Sequence, residues 1–332
     1  MYEAFYGLRE RPFDLTTNPR FLLLTGKHRE ALSNLQYGLM SRRGLTLLVG
    51  EAGTGKTTLV QATIQGFERQ GAKIAYLNNP TLTRNEFYEF LAGAFELDPA
   101  VAQSKVQLLR ELETKLGERR AAGILSGLIL DEVQALPDEL LEEVRLLANI
   151  ETPTDKLLPI VLAGQPELAD RLNQPSLRQL KQRVALRCYL EALDARETAE
   201  YIAGRIRVAG GNSVLVFTRQ AVEAVFEGSG GIPRLISVIC DNALISGFAA
   251  DRRPVSRDIV DDVCRDFDLG EKKQEPLPAA TVAAEVVPAA VVPAAVPAAA
   301  HAEGPRSTPP AKGLPGKSLF EHFTVRRRFS LF

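Results

Sequence analysis

Three cysteines in 332 residues, scattered at Cys188, Cys240 and Cys264, are odd in number and too dispersed to build a disulfide framework. They fall in apolar or helical stretches and read as reduced thiols. Histidine is as scarce, and His28 has no cysteine or carboxylate cluster at ligand spacing. That excludes a zinc-type site there and leaves a histidine at the surface or behind a functional residue. Charge of one sign is missing too: 40 basic against 41 acidic residues give no global pull toward nucleic acid, although local patches stay open. No run reaches the roughly 20 strongly apolar residues of a membrane span. The nearest tract, alanine- and valine-rich, is broken by Glu285, Pro288, Pro293 and Pro297. Nor does a signal peptide show at the start, where Glu3, Arg9, Glu10 and Arg11 surround the few apolar residues. The 45% hydrophobic content is ample for a core, and the length suggests about two domains.

What is present begins at Gly50. The stretch Gly50, Glu51, Ala52, Gly53, Thr54, Gly55, Lys56, Thr57 fits the phosphate-loop spacing G-x-x-x-x-G-K-[ST] at every fixed position, with Thr58 entering the following helix. Glycines let successive backbone N–H groups curl around phosphates, Lys56 adds a point charge, and the Thr57 hydroxyl is suited to ligate Mg²⁺. Leu45–Val49 before it reads as a buried parallel strand and Thr58–Ile64 after it as a helix, which is the setting the motif requires.

A phosphate loop needs carboxylates to manage metal and water. Leu128-Ile-Leu130 followed by Asp131 and Glu132 supplies them: Asp131 to hold Mg²⁺, and Glu132 to polarise the attacking water as general base. Two further apolar runs, Lys73–Leu77 and Leu157–Ala163, end in polar turns, and Val184–Leu190 makes a fifth strand. With helices between them, the pattern predicts an α/β fold, a parallel sheet wrapped by helices. Gln165 lies at a strand's carboxyl end, where ligands of such sheets sit, and is placed either to contact a γ-phosphate or water or to serve the Gly164-Gln165-Pro166 turn alone.

Phosphoryl transfer also rewards a cation. Arg178 and Arg183 lie in the basic segment Ser176–Arg183, predicted as a helix before the fifth strand, and Arg234 follows Gly230-Gly-Ile-Pro233, a helix start beside glycines. Each reads either as a charge stabiliser or as a solvated surface arginine.

The opening MYEAFYGLRERPFDLTTNPRFLLLTGKHREAL, with GEAGTGKTTL, LILDEVQAL, LLANIETPTDKLLPIVLAGQPEL, LRQLKQRVALRCYL and GGIPRLI, resembles the AAA+ ATPases. Within them it is similar to the ExeA/GspA-type secretion ATPases and the related transposition ATPases, over residues 1–268. The resemblance implies a P-loop NTPase (AAA+) sheet domain followed by a small helical lid, with ATP and Mg²⁺ as cofactors. It implies Glu132 as hydrolytic base, sensor roles for Gln165 and Arg234, and fingers acting in trans from Arg178 and Arg183. It also implies that the N-terminal segment lies over the adenine, so that Phe13 and Phe21 either flank the base or are ordinary core residues. Val133 departs modestly from the alanine of many relatives.

The expected organisation is an N-terminal segment near the nucleotide (1–40), the sheet domain (41–192), a helical lid (193–268), a Pro/Ala-rich linker (269–317) and an aromatic and basic tip (318–332). Linker and tip together make a disordered tail. Four helices are expected in the lid. Some relatives carry a membrane span and a cell-wall-binding domain, from which this C-terminal tract departs. The resemblance implies an ATP-hydrolysing, homo-oligomeric motor or switch, cytoplasmic or peripheral at the inner face of the membrane, serving assembly of a secretion or pilus-type envelope machine. The alternative is a DNA-associated ATP switch, resembling transposition ATPases, that recruits a partner on duplex DNA.

Overall fold

Short apolar runs become the strands of one sheet, β1 (Leu45–Gly50), β2 (Lys73–Leu77), β3 (Ser126–Leu130), β4 (Ile160–Gly164) and β5 (Val184–Leu190), with β1, β3 and β4 buried on both faces and the edge strands β2 and β5 partly exposed. Their order is β2-β3-β4-β1-β5, and every neighbouring pair is parallel. The computed structural model describes residues 1–268 apart from 16–18, 22, 23, 43, 79 and 80. The linker, the tip, the interrupted apolar tract, the Asn79-Pro80 turn and Leu22-Leu23 lie outside the described residues.

Side chains alternate across each strand, so one strand feeds two cores. Leu45, Leu47 and Val49 of β1 join Leu128, Leu130, Ile160 and Leu162 on one face, while Leu48, Ile129 and Val161 face the other. Helices α1 (Tyr2–Tyr6) and α2 (Gly26–Met40) precede the sheet, and α3 (Lys56–Glu68) follows β1. Helices α4 (Arg84–Ala94) and α5 (Lys105–Ala121) link β2 to β3, and α6 (Asp138–Leu147) links β3 to β4. The first core is roofed by α4, α5 and α6 and the second by α2 and α3.

After β4 come two short helices, α7 (Pro166–Arg171) and α8 (Arg178–Lys181). The predicted helix over 176–183 is therefore a 3-10 turn (Pro175–Leu177) and a single α turn, with Arg183 beyond it. The chain then forms α9 (Ala195–Val208), α10 (Ser213–Val216), α11 (Arg219–Ser229), α12 (Pro233–Ala249) and α13 (Arg257–Asp266). This bundle has one more short helix than the four expected. Its start is well defined, because Asp194 and Glu197 make a reciprocal capping box.

The N-terminal residues divide between the two halves. Tyr2, Tyr6, Leu8, Phe13 and Phe21 complete the core of the C-terminal helices, whereas Ala31, Leu35 and Leu39 of α2 pack on the sheet. Among the described residues, no helix is long and apolar enough to cross a membrane.

Candidate active site

β1 ends at Gly50 and α3 begins at Lys56, so the loop between them must reverse within five residues. It does so through Gly53 (φ 82°) and Gly55 (φ 102°), in the left-handed region that favours glycine. A Cβ at Gly50 would stand 2.7 Å from the Leu190 carbonyl, so β5 closes tightly on the start of the loop. Lys56 is only 4% exposed. Its Nζ donates to the carbonyls of Gly50 (2.8 Å) and Glu51 (3.0 Å). Desolvation lowers its pKa, opposed by the charges of Glu132 and Asp131.

Because β4 lies between β1 and β3, the ends of three adjacent strands bring the phosphate loop, Gln165 and the acidic pair to one edge. Asp131 is fully buried, and its Oδ2 accepts from the Thr57 hydroxyl at 2.7 Å and from Tyr76 OH at 3.4 Å. Burial, with Asp131 nearby, pushes the Tyr76 phenol up to about 12. The Glu132 N–H donates to Asp131 Oδ1 at 3.0 Å. Glu132 itself holds φ 54°, a backbone strained by about 1–2 kcal/mol for a residue with a Cβ, and its side chain lines the cleft. Its Oε2 accepts from the side-chain amides of Gln134 and of Gln165, the latter at 3.4 Å. Gln134 Oε1 in turn accepts from the Gln165 N–H at 3.1 Å.

Arg234 enters from the bundle. Pro233 opens α12 and has no N–H, so the helix's first N–H is that of Arg234, and it donates to Gly53 O at 3.2 Å. A Cβ at Gly53 would meet the Cβ of Arg234 at 2.8 Å, so the glycine admits the bundle.

Three contributors were not assigned a place in the site from sequence. His28 is buried against the loop: Nε2 meets Thr54 O at 3.1 Å and Nδ1 meets Thr25 Oγ1 at 2.8 Å. Since a carbonyl only accepts, the proton is on Nε2. Arg205, on α9, donates to the carbonyls of Pro12 and Asp14 and to Tyr201 OH. Its guanidinium lies 5.2 Å from the Phe21 ring centre, 5.4 Å from that of Tyr201 and 6.0 Å from that of Phe13. Gln134, His28 and Arg205 stand among other polar and charged residues, which left no sequence signal for them.

A cleft of about 370 Å³ joins these parts. Gly53 to Thr58, Glu132 and Arg234 line it together with Phe21, Tyr201, Arg205 and Ser237. Phe13 is a core residue, edge-on to Phe217 at 6.2 Å. Arg178 and Arg183 are not brought to this cleft. Val184 pairs with Leu45, so Arg183 sits where the strands start, roughly 17 Å of strand from the loop at their ends. Among the described residues, no three His, Cys, Asp or Glu side chains form a metal cage. Thr57 and Asp131 instead present a hydroxyl and a carboxylate, hard oxygen donors of the kind Mg²⁺ takes from protein while keeping other ligands.

Residues 39–172 match the family model described as an AAA domain. The chain is 43% identical to general secretion pathway protein A of Aeromonas hydrophila over 250 residues, which are 75% of this chain and 45% of that protein. It therefore spans less than half of that relative's length. Among solved structures, the Aeropyrum pernix ORC2 protein in its ADPNP-ADP complexes superposes with a TM-score of 0.58 at 19% identity, covering 77% of this chain and 71% of that one. The Pyrobaculum aerophilum Cdc6p crystal structure gives 0.59 at 15% identity, with 77% and 70% covered. At such identities these likenesses concern the fold.

Proposed function

From a chain that has the AAA+ P-loop NTPase fold, carries an AAA domain over residues 39–172 and is similar to general secretion pathway protein A, we infer that the function is binding and hydrolysis of Mg-ATP. The observation that carries this reading is the 2.7 Å hydrogen bond from Thr57 to Asp131. It ties the phosphate loop to the acidic strand end and sets Glu132 beside both. Loop N–H groups and Lys56 would hold the phosphates, and Thr57 and Asp131 would hold the metal. Bound Mg²⁺ supplies positive charge to phosphate oxygens. In the hydrolytic step the water oxygen bonds to the γ-phosphorus, the water proton passes to Glu132, and the bond to the β,γ-bridging oxygen breaks with its electron pair leaving on ADP. Gln165 and Arg234 line up as sensors of the γ-phosphate, one from the sheet and one from the bundle.

The same reading divides the chain into an N-terminal segment (1–40), a sheet domain (41–192) and a lid (193–268) whose relative angle follows the nucleotide. Arg178 and Arg183, remote from their own cleft, fit a role in a neighbouring subunit's site within a homo-oligomer. The similarity to general secretion pathway protein A supports service to a secretion-type envelope machine, from the cytoplasm or the inner face of the membrane.

Phosphate release from ATP with Mg²⁺ tests the reading in wild type, Lys56→Ala and Glu132→Gln. Turnover by wild type alone, with Glu132→Gln still binding ATP, is expected. Undiminished hydrolysis by Glu132→Gln would remove it as base.

A further inference from the structure

Gln134 takes no direct part in the reading above, yet both ends of its amide are committed. Nε2 donates to Glu132 Oε2, and Oε1 accepts the Gln165 N–H at 3.1 Å. The amide therefore has one orientation, since flipping it would set a carbonyl against the carboxylate and an NH₂ against an N–H. Space is kept for it: a Cβ at Gly164 would stand 2.9 Å from Gln134 Oε1. The backbone beneath is held as well, because Arg171 Nη1 donates at 2.8 Å to the carbonyls of Gln134 and Leu136 and its other nitrogen pairs with Asp138. Both amide donors to Glu132, from Gln134 and Gln165, fall on Oε2. Among the described residues, none falls on Oε1.

We propose that Gln134 is a positioning residue for hydrolysis: it fixes the Glu132 carboxylate by one oxygen, so that the other is presented to the attacking water, and it ties that orientation to the β4–α7 turn carrying Gln165. The inference rests on Glu132 being the base. At its left-handed φ, Glu132 lies outside the side-chain directions set by a regular helix or strand, and the two amides constrain its carboxylate instead. A brace of this kind acts on the chemical step and leaves ground-state binding alone.

Two near-isosteric variants of the full chain separate positioning from filling. Gln134→Met keeps the stem and loses both hydrogen bonds. Gln134→Glu keeps the acceptor for the Gln165 N–H and removes the donor to Glu132. Both are expected to lower kcat by about 10- to 100-fold, with KM and the affinity for a non-hydrolysable ATP analogue within about twofold of wild type. Wild-type kcat in both variants would overturn the proposal. A parallel loss of analogue affinity would assign Gln134 to the loop's architecture and overturn it too. Failure of wild type to hydrolyse ATP would defeat the parent reading and this one with it, whereas wild-type turnover with unaffected Gln134 variants defeats this one alone.

Discussion

Lys56 answers two opposed demands. Its ammonium is buried and bonded to carbonyls of its own loop, and desolvation lowers its pKa, yet its charge is what phosphates would require. Lys56→Ala is expected to weaken ATP binding by at least about 100-fold, measured by titration calorimetry. His28 supplies a pH handle on stability. Burial lowers its pKa from the ordinary 6.5, with the hydrogen bond to Thr54 opposing. The unfolded chain therefore takes up this proton before the folded one does. Stability from His28 is complete above pH 6.5 and is lost as pH falls below it toward the folded value. His28→Gln keeps an N–H for Thr54 O and cannot titrate, so the melting temperature should decline less between about pH 6.5 and 5 than in wild type. Equal slopes would clear His28 of that role.

Among elements, the N-terminal strap (residues 8–14) and the loop of β1–α3 each meet the bundle at a residue that can be tested, Arg205 for one and Gly53 for the other. Arg205 bonds two strap carbonyls beneath three aromatic rings, so Arg205→Ala should cost about 2–4 kcal/mol in urea unfolding, and hydrogen exchange over residues 8–14 should quicken. Gly53→Ala combines a left-handed φ with a contact on Arg234, and is expected to cost about 1–3 kcal/mol and to loosen α12 from the loop, read by exchange at the Arg234 amide. The central strands β1, β3 and β4 were legible because burial on both faces writes them as apolar runs. The β4 run misled at its start: Leu157 and Leu158 are buried, but Pro159 has no N–H, and the ladder begins at Ile160, which donates to Gly44. The phosphate loop and acidic pair were legible because their spacing is local. His28 and Arg205 were not, because each acts on a partner 26 or 193 positions away, nor was Gln134, whose amide is oriented by Gln165, 31 positions on. Folding alone sets those distances.

At the scale of the whole molecule, the remoteness of Arg183 from its own cleft makes a prediction about assemblies. Arg183→Ala alone should lose turnover, and mixing it with Glu132→Gln should restore some, because the intact arginine of one subunit would serve the intact base of another. No restoration at any ratio would leave Arg183 a surface residue. The junction between sheet and bundle has a further property. Helices α3 and α12 begin on the same few residues of backbone, one continuing the loop and the other hydrogen-bonded to it at Gly53. Each amino end carries about half a positive charge. An anion held there would meet both amino ends at once, as a rivet passes through two plates, and its loss would loosen the sheet and the bundle together.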